Sequence, residues 1–142
     1  MLTLEQANTI ANASLASGRD NGFAPLCVVV LDAGGHALAL QRDELASISR
    51  PQIATAKAAG CLGLGFGGRE LARRAQAMPA FFTSLSPIFP DGIIPVPGGV
   101  LIRNDAGIVI GAVGISGDTS DNDEICAVAG IAAAGLVADT GA

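Results

Sequence analysis

His36 is the only histidine in the 142 residues, and it follows directly on Gly34-Gly35. An imidazole at the mouth of a tight turn is accessible, and it is the one side chain here suited to hold a transition metal through nitrogen. A turn-flanking surface histidine would have the same sequence. Lys57 is the only lysine, and its neighbours Ile53, Ala54, Ala56 and Ala58 make its segment apolar. Desolvation there would lower its pKa toward proton transfer or Schiff-base chemistry. The plainer outcome is an ion pair with an acidic residue such as Asp43. Arg42 and Asp43 stand where a strand gives way to a loop, so the guanidinium can fork onto a ligand carboxylate or close a strand-end salt bridge.

Two glycine-containing stretches offer backbone donors. Pro97-Gly98-Gly99 permits close approach of an anion or a carbonyl oxygen, and tight chain packing would use the same glycines. Ser116-Gly117-Asp118-Thr119 leads into a helix, whose first N–H groups favour negative charge or are capped by those same side chains. Arg42 to bind an acid, Lys57 or Asp43 to move a proton, and the Gly98 and Gly99 amides to stabilise an enolate would compose a cofactor-free isomerase, tautomerase or lyase. Its substrate would be a small oxo acid or ring-cleavage product. Cys27, Cys61 and Cys126 lie far apart in apolar contexts without cationic neighbours, which reads as reduced, buried thiols. No CxxC, HExxH, GxxxxGK[ST] or strand-to-helix GxGxxG occurs, which leaves no dedicated zinc site and no phosphate loop.

The elements that must position these residues are legible from pattern. Thr3-Leu4-Glu5-Gln6 is a capping box, and Leu4, Ala7, Ala11 and Leu15 give a helix from about Leu4 to Ser17. Leu26–Leu31 and His36–Arg42 read as a hairpin turning at Asp32-Ala33-Gly34-Gly35. Pro51 opens a narrow, alanine-rich helix that ends among Gly63, Gly65, Gly67 and Gly68. A short amphipathic helix over about Glu70–Ala77 turns Arg73 and Arg74 outward, and a proline-containing segment, 79–97, is a candidate lid or subunit contact. Val100–Arg103 and Ile108–Ile115 form a second hairpin, whose Asp-Ala-Gly turn repeats that of the first. A last helix runs from the acidic start at Asp121 to about Ala138; it is apolar nearly all round and is expected to be covered by its sheet and by another subunit, with Ile131 at that interface. Helix, hairpin, helices, hairpin, helix predicts one α+β domain over residues 1–142, a profilin-like sandwich with a central antiparallel sheet of about five strands flanked by helices.

Composition limits the partners. Half of the residues are hydrophobic, 15% are charged and mean hydropathy is +0.51, a balance that points to buried subunit interfaces and a homo-oligomer. The net charge of -5 without a basic stripe argues against nucleic acid. The apolar run Ile125–Ala138 is too short to span a bilayer, and the N-terminus carries no basic or apolar leader, so a cytoplasmic protein with no membrane partner is expected.

Four stretches, in one order and with compatible spacing, go further. Val28-Val29-Val30-Leu31-Asp32-Ala33-Gly34-Gly35 with Gln41-Arg42-Asp43, then Ile53-Ala54-Thr55-Ala56-Lys57-Ala58, then Pro97-Gly98-Gly99-Val100, then Gly111-Ala112-Val113-Gly114-Ile115-Ser116-Gly117-Asp118-Thr119 into Asp121-Asn122-Asp123-Glu124, resemble the GlcG/HbpS family of small haem-binding proteins. The C-terminal domain of PduO-type corrinoid adenosyltransferases shares the likeness, which covers nearly the whole chain. The resemblance implies a homo-oligomer of profilin-like subunits that, in some members, holds haem at an exposed or intersubunit site and degrades it. His36 would then be the axial ligand, with arginines such as Arg42 on the propionates. One departure stands out: the family often places a threonine three residues after the lysine of its Lys-Ala pair, and here that position is Gly60.

Overall fold

In a computed structural model covering residues 1–142, five strands form one antiparallel sheet in the order β2-β1-β4-β3-β5, with helices on both faces. The elements are α1 (Leu4–Asp20), β1 (Cys27–Asp32), β2 (Ala37–Arg42), α2 (Arg50–Leu64), α3 (Gly68–Ala77), α4 (Pro79–Thr83), a 3-10 turn at Ser86–Ile88, β3 (Gly99–Arg103), β4 (Val109–Ser116), α5 (Ser120–Ala133) and β5 (Val137–Asp139). No helix is long and apolar enough to cross a membrane.

Period-two alternation explains the layering, because successive side chains of a strand point to opposite faces. Val28 and Val30 of β1, Val100 and Ile102 of β3, and Val113 and Ile115 of β4 join Ile10, Ala11, Ala127 and Ile131 beneath α1 and α5. Cys27, Val29, Leu31, Leu101 and Ala112 point the other way, onto Ala54, Ala58 and Cys61 of α2 and Leu71 of α3. A register shift between Val30 and Leu31 marks a bulge opposite Leu38 and Ala39 on β2, and both of those side chains pack toward the α1–α5 layer.

α2 lies unusually close to the sheet, and two paired glycines are the reason. Gly99 and Gly114 are register partners on the α2 face. A Cβ on Gly114 would sit 1.8 Å from the Ala54 carbonyl oxygen, and one on Gly99 would sit 2.6 Å from that of Lys57. The narrow helix expected from its alanines therefore meets a strip of sheet without side chains.

Three expectations change. The last helix stops at Ala133 instead of Ala138, because Gly135 takes φ +72 and the Leu136 N–H closes onto the Ile131 carbonyl. The chain then returns as β5 on the outer edge of β3. The second cover of α5 is α1 of the same chain: Gly130 packs against Ser14 and Ile10 of α1, and Ile131 is wholly buried within the subunit, so it is not an interface position. The repeated Asp-Ala-Gly tripeptides are not equivalent in space, since Asp32 opens the first turn whereas Asn104, not Asp105, opens the second.

Candidate functional site

The expected site residues divide between the two ends of the sheet. At one end β2 finishes, β1 begins, β4 finishes and β3 begins, which gathers Arg42, Asp43, Lys57, Gly98, Gly99, Ser116 and Gly117. At the opposite end the β1–β2 turn carries His36. Six residues of strand at about 3.4 Å each put about 20 Å between them. His36 and Arg42 therefore stand at opposite ends of one strand.

At the first end, the polar groups are largely committed to one another. Lys57 Nζ donates to Asp123 Oδ2 at 3.1 Å and to the Ile115 carbonyl at 2.9 Å, and its acidic partner is thus Asp123, not Asp43. The cause is topological: α2 crosses the sheet where β4 ends, and α5 begins four residues beyond that point. Burial draws the Lys57 ammonium below the ordinary lysine range, against the pull of the Asp123 charge, and burial likewise raises the Asp123 carboxyl. Asp43 Oδ1 accepts the Leu45 N–H, and Arg42 Nη1 donates to the carbonyls of Asp43, Glu44 and Ala46, so the guanidinium folds back on its own loop.

Gly98 and Gly99 are buried, with the Gly98 carbonyl accepting from Ile115 N and Gly99 inside the β3–β4 ladder. Ser116 Oγ accepts from Arg50 Nη1 at 3.0 Å, and Gly117 packs against the Pro25 carbonyl. The α5 N-terminus is capped from within: Thr119 Oγ1 accepts Asn122 N, Asp118 Oδ2 accepts Ala24 N, and Asp123 Oδ1 accepts Asp118 N. These bonds tie α2, β4 and α5 together.

The opposite end is open. The His36 side chain is 82% exposed, and its Nδ1 lies 3.3 Å from Asp32 Oδ1. The same oxygen accepts the N–H groups of Gly34 and His36 at 2.9 and 3.0 Å. Those hydrogen bonds hold the Asp32 carboxyl below the ordinary carboxylate range. The imidazole lies over Gly34, where a Cβ would stand 2.9 Å from Nδ1. Asp32 and Gly34 also line a cleft of about 300 Å³ walled by Leu2, Leu38, Val109 and Ile110. With Nδ1 turned toward a carboxylate, Nε2 is the ring nitrogen left to bind a ligand.

Other metal donors fall away. Burial pushes the Cys27 and Cys61 thiols up to about 11 and about 12, and raises that of Cys126, so none offers a thiolate near neutral pH. Gly60 is buried beneath Ile93, whose Cγ1 would be 2.9 Å from a Cβ there, so that helix face is filled by an isoleucine. No cluster of three or more His, Cys, Asp or Glu side chains is placed to hold a bare metal ion.

The family described as "Haem degrading protein HbpS-like" matches residues 2–132. The chain belongs to the HbpS-like family. Among solved structures, protein ORFY of Klebsiella pneumoniae is 28% identical, with a TM-score of 0.80 over 94% of this chain and 90% of that one. A double mutant of Streptomyces reticuli HbpS is 27% identical, with a TM-score of 0.79 over 92% of this chain and 85% of that one. A PduOC:heme complex shares the fold at 24% identity, with a TM-score of 0.84 over 96% of both chains. No curated protein matches the chain.

Sequence reasoning gave this HbpS-like chain its one histidine but missed three partners. Asp32 was read only as a turn residue, although its place four before His36 across two glycines was a signal. Asp123, 66 positions from Lys57, and Arg50, the same distance from Ser116, left no trace in local spacing.

Proposed function

We propose that this HbpS-like chain binds haem at the β1–β2 turn, with His36 Nε2 as the iron ligand. The observation that carries this reading is one exposed imidazole, its Nδ1 3.3 Å from Asp32 Oδ1, on the turn whose Asp32 and Gly34 line an apolar cleft. Imidazole is a common proximal ligand of haem iron, and Leu2, Leu38, Val109 and Ile110 offer one face of the macrocycle an apolar wall. A cleft of about 300 Å³ takes an edge of such a group and leaves the rest at the surface.

A haem held there supplies iron redox chemistry. The chain's own share is to hold the ligand nitrogen, cover one apolar face and keep the thiols out of reach. Self-association is part of the proposal, since Leu45, Ile48 and Ile88 are 77%, 87% and 70% exposed, and a second subunit is a source of cations for the propionates while the Arg42 guanidinium is folded onto its own loop carbonyls. The proton-transfer alternative draws no support from the geometry, because Lys57 Nζ is spent on Asp123 and the Ile115 carbonyl and the Arg42 guanidinium on the carbonyls of its own loop.

Titration of the purified protein with haem, followed in the Soret region, tests the reading. A saturable spectrum at fixed stoichiometry that changes in His36→Ala supports it. An unchanged spectrum in that variant removes His36 as the ligand.

A further inference from the structure

The two hairpin turns are built alike, and the side chains in which they differ are informative. In the first, Asp32 N donates to the His36 carbonyl, Gly35 N to the Asp32 carbonyl, and Asp32 Oδ1 accepts from Gly34 N and His36 N. In the second, Asn104 N donates to the Ile108 carbonyl, Gly107 N to the Asn104 carbonyl, and Asn104 Oδ1 accepts from Ala106 N and Ile108 N. Gly35 and Gly107 close the turns at φ +84 and +79. Position for position, Asp32 matches Asn104, Gly34 matches Ala106, and His36 matches Ile108.

The second turn is therefore an internal control. A neutral amide oxygen is enough to build this turn, and so is an alanine where the first turn has Gly34. The carboxylate of Asp32 and the missing Cβ of Gly34 are surplus to the backbone's needs. Both act on the one group the second turn lacks: the carboxylate stands 3.3 Å from His36 Nδ1, and the bare Gly34 leaves room for the imidazole edge, which a Cβ would meet at 2.9 and 3.0 Å.

From this the geometry points to Asp32 and Gly34 as a cradle that positions His36, holding the ring with its proton on Nδ1 and the Nε2 lone pair outward for a Lewis-acidic ligand. A free neutral imidazole has no such fixed choice of nitrogen, and a charged acceptor beside Nδ1 selects one tautomer. The inference rests on the reading of His36 as an iron ligand for its purpose, but the cradle itself is a property of the protein without haem.

The test uses that independence. Because the chain has one histidine, ring-nitrogen NMR of the ¹⁵N-labelled, haem-free protein reports His36 alone. At a pH where the ring is neutral, the protonated nitrogen should be Nδ1 in the wild type. Asp32→Asn, which retains an acceptor for the turn as Asn104 does, should reduce the ratio of the two tautomers by about fivefold, as expected when a charged hydrogen-bond acceptor becomes neutral. Gly34→Ala, which has its precedent in Ala106, should displace the ring and reduce the ratio with Asp32 intact. Unchanged amide spectra outside the turn confirm that both variants fold. A wild type with its proton on Nε2, or variants that leave the ratio unmoved, would overturn the cradle whatever the haem titration shows. If the ratio behaves as stated but His36→Ala leaves the haem spectrum unchanged, the cradle stands and the haem assignment fails. In haem-loaded protein, Asp32→Asn should raise the iron midpoint potential, since a ring that gives up hydrogen-bonding charge donates less to the metal.

Discussion

Lys57 Nζ and Asp123 Oδ2 meet at 3.1 Å with their side chains 4% and 1% exposed, and they join the helix layers on opposite faces of the sheet. Taking both charges out of water is costly, and each is tolerable because the other is there. Lys57→Met leaves Asp123 buried and unpaired, and denaturant unfolding should show a loss of about 3–5 kcal/mol near neutral pH. Without its partner the carboxyl is raised further by burial, so the folded state binds a proton that the unfolded chain has released. The deficit should then be smallest in acid and grow as pH rises through the raised value. The double variant Lys57→Met/Asp123→Leu should recover much of the loss. Equal losses in the single and double variants would show that the pair contributes shape and not charge.

Asp118 gives the opposite pH sign. Its carboxylate accepts from Ala24 N at 2.7 Å, Thr119 N at 2.7 Å and Asn122 Nδ2 at 2.8 Å, which holds its pKa below the ordinary 3.8. The stability it contributes is present above pH 3.8 and is lost as pH falls through the depressed folded value. Asp118→Ala should cost about 1–2 kcal/mol at pH 7, through the bond that ties the 21–26 loop to the start of α5. In acid unfolding the wild type and the variant should converge below pH 3.8; curves that stay parallel would exclude the ionised form as the source.

How far the sequence was legible follows the range of the interactions. Capping of α1 by Thr3 and Gln6, both hairpins, and the burial of all three cysteines came from neighbours within a few positions. The end of α5 was missed because the apolar run through Leu136 and Val137 suits a helix and an edge strand alike, and Gly135 decides between them only through its left-handed backbone. The Pro79 and Pro87 segments hid α4 and a 3-10 turn, since proline at a helix start and proline in a loop look the same. For the candidate site, His36 was visible by type, whereas Asp32 passed as a turn residue although it stands four positions before the histidine. The separation of about 20 Å between His36 and Arg42 was implicit in reading residues 36–42 as one strand, being the sum of that strand's rises.

The glycine strip beneath α2 should be the least tolerant part of the core. Gly114→Ala would drive a Cβ into backbone, 1.8 Å from the Ala54 carbonyl oxygen, where no side chain can rotate away. The helix has to lift from the sheet, and a loss of about 3 kcal/mol or more is expected in urea unfolding. Gly107→Ala, in a turn where nothing lies within 4 Å of the added atom, should cost only the backbone strain of φ +79, about 1 kcal/mol. Similar losses at the two positions would mean that α2 is not seated on the strip.

Gly60 and Ile93 provide a test of how closely α2 and the 89–96 segment are fitted to each other. A threonine at residue 60 would meet Ile93 Cγ1 and Cδ1 within 2.9 and 3.4 Å, contacts with a side chain and not with backbone. Gly60→Thr alone should therefore destabilise by about 1–3 kcal/mol through overpacking, and Ile93→Ala alone by about 2 kcal/mol through lost burial. Combined, each removes the other's defect, and the double variant should be more stable than the sum predicts by at least about 1 kcal/mol. Additive losses would show that the glycine answers to something other than the isoleucine above it. A favourable coupling would mean that glycine and isoleucine are one packing solution, with the segment around Ile93 filling the place that a hydroxyl would take on the helix.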